Sequence, residues 1–157
     1  MSVASVRKFL NSYGIADRIR EFDVSSATVE LAAKALHCDC ARIAKTLSFS
    51  VAGNPILVVT AGDMRIDNGK FKAQFATKAK MLTPEQTLEQ IGHPVGGVCP
   101  FAVKQGVPVY LDISLQRFET VFPACGSSNS AIELTVEELA AYTSYTAWVD
   151  VCKGQTV

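Results

Sequence analysis

The feature that most constrains the fold is "KTLSFSVAGNPILVVTA", residues 45–61, in which two strongly β-forming runs are separated by Ala52, Gly53 and Asn54. Runs rich in Val, Ile, Thr and Phe, broken by a short Gly-Asn turn, specify a hairpin of buried strands. The first strand, extended back to "RIAKTLSFSV", alternates, with Ile43, Lys45, Leu47 and Phe49 on one face and Ala44, Thr46 and Ser48 on the other. Lys45 therefore shares an apolar face, where an ammonium group is expensive unless something pairs with it. Two readings stand at this point. The lysine snorkels, burying its stem and keeping its head in water, or its charge has a ligand.

The rest of the chain supplies helices and shorter strands. Val3 to Tyr13 places Val6, Phe9, Leu10 and Tyr13 on one stripe with Gly14 as a stop, and "DRIREF" alternates weakly as a short strand. Thr28 caps a second helix to Leu36, and Asp67 to Phe75 is a third. "AKMLT" reads as a strand, and Thr83-Pro84-Glu85 opens a helix that Gly92 closes. "VPVYLDI" and "AIELT" are strands, Thr135 and Glu138 form a capping box, and "TAWVDV" is the last strand. Irregular alternation of this kind predicts a mixed sheet with helices packed on it, not a doubly wound fold. With no repeat or linker, residues 1–157 are expected to form one α/β domain that buries roughly 70% of its unfolded surface.

Composition narrows the partners. The formal net charge is zero, but residues 41–80 carry 7 basic and 2 acidic side chains while residues 81–157 carry 3 and 8. A local basic face is thus possible, with Arg65, Lys70, Lys72, Lys78 and Lys80 supplying most of it; a solvated surface is the plainer alternative. No secretory signal or membrane-length apolar run is visible, and five cysteines are an odd number, which fits reduced thiols in a cytoplasmic protein. "HCDC", residues 37–40, lacks the second ligand pair of a zinc site. Walker, dinucleotide-binding, zincin and nucleophile-elbow motifs are missing.

Two loops are richer. In "GHPVGGVCPF", residues 92–101, Gly96 and Gly97 permit unusual backbone angles and Pro100 stiffens the far side. Such a Gly-x-x-x-Pro loop can aim amides at a carbonyl oxygen or phosphate, although ordinary turns share the pattern. Cys99 within it is a conceivable nucleophile or simply a small side chain. In "PACGSSNSAIEL", Gly126, Ser127, Ser128 and Asn129 offer hydrogen-bonding groups without bulk, as a plain turn also would.

In this order, "IAKTLSF", "VVTAGDMRID", "PVGGVCPF", "VPVYLDISL" and "GSSNSAIELTVEEL" resemble the YbaK family, which includes the proline-tRNA editing proteins and the insertion editing domain of prolyl-tRNA synthetase. The resemblance runs from about Thr28 to Val151 and implies an α/β fold on a mixed, strongly curved sheet. It implies hydrolysis of the ester that joins a wrong amino acid to the 3′ end of a transfer RNA, tRNA-Pro above all, with prolyl-tRNA synthetase as a possible partner. Lys45 matches the family's characteristic lysine. Thr46, Gly96, Gly97, Val98, Cys99, Pro100, Gly126, Ser127 and Asn129 match its substrate-binding positions. No metal or cofactor is implied, and the substrate's own ribose hydroxyl or thiol is expected to assist. Ala102 departs from the glycine of many relatives. A binding module of the same fold that no longer hydrolyses, and thiol chemistry at Cys99, are the competing functions.

Overall fold

In the computed structural model, residues 2–154 are described. The hairpin is where the sequence placed it. Helix α1 (Ser2–Asn11), strand β1 (Arg20–Glu21) and helix α2 (Val29–Leu36) lead to β2 (Ile43–Val51) and β3 (Asn54–Ala61). These two pair antiparallel from Ala44 opposite Ala61 to Val51 opposite Asn54. The turn is shorter than expected: Asn54 already pairs in β3, and Ala52 and Gly53 alone make the reversal, at φ 52° and 81°. Two left-handed residues match the right-handed twist of the strands, as in a type I′ hairpin.

After β4 (Met64–Ile66) come α3 (Asn68–Phe75), α4 (Pro84–Gln90), β5 (Val109–Asp112), β6 (Thr120–Pro123), β7 (Ser130–Ala131), β8 (Leu134–Thr135), α5 (Val136–Thr143), β9 (Ala147–Val149) and β10 (Cys152–Gly154). Six strands form a mixed sheet in the order β8-β6-β2-β3-β5-β9, curled into a half-barrel. β2 runs parallel to β6, β3 to β5 and β5 to β9. The central strand β3 is buried on both sides, which is why "PILVVTA" is an unbroken apolar run rather than an alternating one. Leu57, Val59 and Ala61 pack in the cluster that includes α1 and α5, and Ile56 and Val58 pack with Phe71 of α3. Phe71 is fully buried, with ring centroids 5.0 Å from Phe49 and 4.7 Å from Phe75. Burial of such a side chain contributes about 1.5–3 kcal/mol and anchors a helix that has little apolar face of its own.

The helix starts follow local chemistry. Thr28, Asp67, Thr83 and Thr135 all accept a backbone N–H of the first turn, and Thr83/Gln86 and Thr135/Glu138 are complete capping boxes. The short strands differ from the sequence reading. "DRIREF" divides into a 3-10 turn at Ala16–Arg18 and the two-residue β1, which pairs with β7. "AIELT" is two strands, because Ser130–Ala131 pairs with β1 and Leu134–Thr135 with β6. "AKMLT" keeps one bridge, Met81 to Phe49. Each is set by a partner far away in sequence, and local alternation carries no record of it. Among the described residues no helix is long and apolar enough to cross a membrane.

Candidate active site

The curled sheet leaves a cleft of about 280 Å³ over the first half of β2. Ile43 to Ser48 form its floor, Ser26 to Val29 and Ala32 one wall, and Val95, Gly96 and Val98 another, with Met81 at the edge. The face expected to hold Ile43, Lys45, Leu47 and Phe49 together is in fact divided. Ile43 packs with α2, and Leu47 and Phe49 pack with α3, so Lys45 lies between two apolar clusters. It is the one ionisable side chain lining the cleft among the described residues.

The Lys45 ammonium donates to the backbone carbonyl oxygen of Met64. Burial holds its pKa below the usual lysine value, against the opposing pull of Cys152, Asp63 and Glu30. The Asp63 carboxylate is already taken: Arg117 grips it through Nη2 at 2.6 Å and Nη1 at 3.1 Å. Lys45 thus has no carboxylate salt bridge among the described residues, and its charge faces a cleft with no other ionisable side chain. A desolvated cation held only by a neutral carbonyl retains most of its attraction for an anion or a developing oxyanion.

Thr46 also lines the cleft, and its Oγ1 is buried without a hydrogen-bond partner among the described residues. Ser48 Oγ and Thr87 Oγ1, 3.1 Å apart, tie α4 to the floor. In the Gly-x-x-x-Pro loop, Gly96 (φ 94°) and Val98 reach the cleft; Gly97, Cys99 and Pro100 do not. The Gly97 amide donates to Pro94 O at 3.0 Å, so the donor expected there for a substrate carbonyl is engaged within the loop. What Gly97 supplies is proximity. A Cβ at this position would lie 2.6 Å from Ser127 N and 2.7 Å from Gly126 C, so the two small-residue loops meet backbone on backbone.

The second loop acts at one remove. Ser127 Oγ donates to Asn129 Oδ1 at 2.9 Å and lies 2.7 Å from Ser130 Oγ; Asn129 Nδ2 donates to Phe22 O at 3.0 Å. Phe22 N donates to Asn129 O, and Ser26 N to Ser128 O at 2.6 Å. Gly126 to Asn129 therefore fasten the segment that becomes the cleft wall at Ser26 and Ala27. The sequence reading missed that wall, along with Met81 and Val95. Its one local signal was Thr28, whose cap fixes where α2 begins.

Cys99 does meet a histidine: its Sγ is 3.6 Å from His93 Nε2. The pair has no chemistry at hand. Cys99 is fully buried, its pKa is pushed up to about 12 by burial, and His93 Nε2 donates to Phe101 O at 2.6 Å. The five basic residues are all exposed, Arg65 on β4, Lys70 and Lys72 on α3, and Lys78 and Lys80 in the segment after it that runs beside β2, and Lys70 also contacts Asp150 and Cys152 O at 3.0 Å. No group of three or more metal-ligating side chains occurs among the described residues, "HCDC" included.

A curled mixed sheet thus carries a lysine-bearing cleft walled on one side by Gly96 and Val98, with the second glycine loop packed behind it. The family model for the aminoacyl-tRNA editing domain matches residues 23–142. The chain belongs to this family. It is 52% identical over 154 residues to the uncharacterized protein YwhH of Bacillus subtilis (strain 168), covering 98% of both chains. It is 30% identical over 95 residues to the proline–tRNA ligase of Geobacillus thermodenitrificans (strain NG80-2), spanning 60% of this chain and 16% of the ligase. Among solved structures, a candidate trans-editing enzyme for prolyl-tRNA synthetase superposes with a TM-score of 0.87 at 28% identity over 98% of each chain.

Proposed function

We propose that the protein hydrolyses the ester of mischarged transfer RNA, tRNA-Pro above all, acting in trans on the 3′ acceptor end. The observation that carries this reading is Lys45: an ammonium with no carboxylate partner among the described residues, drawn into an otherwise uncharged cleft and held by a peptide carbonyl. The cleft suits an aminoacyl group on its ribose. Its volume of about 280 Å³ is just below that of pockets that enclose a drug-sized ligand, roughly 300–1,000 Å³, so the rest of the nucleic acid lies outside.

In this mechanism Lys45 holds the ester carbonyl or the terminal phosphate and offsets charge as the carbonyl oxygen becomes anionic. Water adds to the carbonyl carbon, the free ribose hydroxyl relays its proton, the acyl C–O bond breaks, and the leaving ribose oxygen takes the proton. Val98 and Gly96 shape the acyl side, Thr46 offers a hydroxyl from the floor, and Gly97, Cys99, Pro100, Gly126, Ser127 and Asn129 hold the walls in place. No protein nucleophile is needed. Arg65, Lys70, Lys72, Lys78 and Lys80 form the face that meets RNA, with Lys80 adjoining cleft-edge Met81 in the chain and Arg65 adjoining Met64.

The test is deacylation of tRNA-Pro carrying alanine, cysteine, serine, threonine or proline. Hydrolysis of a mischarged species with cognate prolyl-tRNA spared is the expected result. No hydrolysis of any species by folded protein would contradict it and leave the non-catalytic binding module.

A further inference from the structure

In the two-stranded ribbon of β4 and β10, Arg65 lies directly opposite Lys153. Side chains of directly opposed residues project to the same side of a strand pair. Here that side is solvent: both residues are exposed, while their neighbours Ile66 and Cys152 turn inward onto the cluster around Phe71. Two cations are thus held side by side at the edge of the fold, an arrangement that weakens a strand pair. Neither has an ion-pair partner among the described residues. Asp67 attracts Lys153 but is occupied as the cap of α3, accepting Lys70 N at 3.0 Å. Lys70, the other cation beside the ribbon, is spent on Asp150 and Cys152 O.

The position of this pair matters as much as its charge. Arg65 follows Met64, whose carbonyl receives the Lys45 ammonium. Adjacent Cα atoms are about 3.8 Å apart, so the pair begins one residue from the point that orients the cleft lysine. A polyanion whose end enters the cleft must cross this ribbon or leave by another side, and on the ribbon it meets two unneutralised cations in fixed register.

We propose that Arg65 and Lys153 form a phosphate clamp for the unpaired 3′ strand just upstream of the ester. The identity of the polyanion rests on the editing reading; the clamp itself does not depend on hydrolysis. Arg65 supplies a planar fork for phosphate oxygens and Lys153 a compact second charge. Lys153 carried no signal in the sequence, because its register with Arg65 joins distant parts of the chain.

The experiment is equilibrium binding of a short single-stranded RNA ending in CCA across a salt series. Wild type is compared with Arg65→Gln/Lys153→Gln and with a control that removes two exposed charges elsewhere, Lys8→Gln/Lys104→Gln. The clamp variant should bind several-fold more weakly at low salt, with a log–log salt slope shallower by about 1.4, at roughly 0.7 per phosphate contact on single strands. The control should keep the wild-type slope, and the clamp variant's melting temperature should not fall. Equal losses in both variants, an unchanged slope in the clamp variant, or no RNA binding by wild type would each overturn the clamp. Hydrolysis of 3′-aminoacyl adenosine, which has no phosphate, separates the two ideas: an active enzyme with an unchanged slope keeps the editing reading and loses the clamp.

Discussion

Arg117 holds both carboxylate oxygens of Asp63, at 2.6 and 3.1 Å, and thereby keeps the carboxylate nearest in sequence to Met64 from pairing with Lys45. Asp63 already attracts Lys45 across the intervening space. Removing the guanidinium leaves the carboxylate free to turn toward the ammonium and neutralise it. Arg117→Ala is therefore expected to lower deacylation several-fold with the cleft intact, and Asp63→Asn in the same chain to restore it. A loss that the second substitution does not repair would mean that Arg117 acts through the 3-10 turn it braces at Ser114 O.

Lys45→Met separates function from stability. Replacing a desolvated cation by an apolar side chain of similar length is commonly neutral or stabilising, whereas losing an oxyanion-stabilising charge costs about 10²–10³ in rate. Urea titration should show a midpoint at or above wild type, beside a deacylation rate reduced by that factor. The sign with pH follows from the lowered pKa. Between the folded value and the ordinary 10.5, the unfolded chain binds the proton more tightly, so this group's contribution to stability rises with pH through that window. Catalysis by the ammonium falls over the same range, and Lys45→Met should lose both trends.

Ala102 sits at φ 53°, the left-handed region. That backbone angle favours glycine, which has no Cβ to strain. An alanine there costs about 1–2 kcal/mol in strain, and glycine loses roughly 0.4–1 kcal/mol through the added freedom of the unfolded chain. Ala102→Gly should leave stability unchanged or raise it by up to about 1.6 kcal/mol, read from denaturant midpoints, with deacylation still present.

Thiol reactivity should follow burial. Cys40 is exposed and Cys38 half-buried, whereas Cys99, Cys125 and Cys152 are buried, and burial pushes Cys99 and Cys152 up to about 12. An aromatic disulfide reagent should label Cys40 first and Cys38 more slowly, and should reach the other three only after unfolding. Prompt labelling of Cys99 in native protein would revive its candidacy as a nucleophile.

The chain declared its local structure and concealed its distant contacts. The hairpin, the caps at Thr28, Thr83 and Thr135 and the oddity of Lys45 are written in runs of fewer than ten residues, where alternation and capping chemistry act directly. The cleft wall is not. Ser26 lines it because Ser128, about a hundred residues away, accepts its amide hydrogen bond. The value of Gly97 as a contact point with Ser127, and the pairing of Lys153 with Arg65, likewise exist only once the fold closes. Motif resemblance pointed to both loops, and geometry divides their labour: Gly96 and Val98 at the cleft, Gly126 to Asn129 behind it.

The most direct test of the account is single-turnover deacylation of mischarged tRNA-Pro by wild type, Lys45→Ala and Cys99→Ser, each confirmed as folded. Lys45→Ala should lose about 10²–10³ in rate, and Cys99→Ser should stay near the wild-type rate. Full activity in Lys45→Ala, or loss confined to Cys99→Ser, would contradict it.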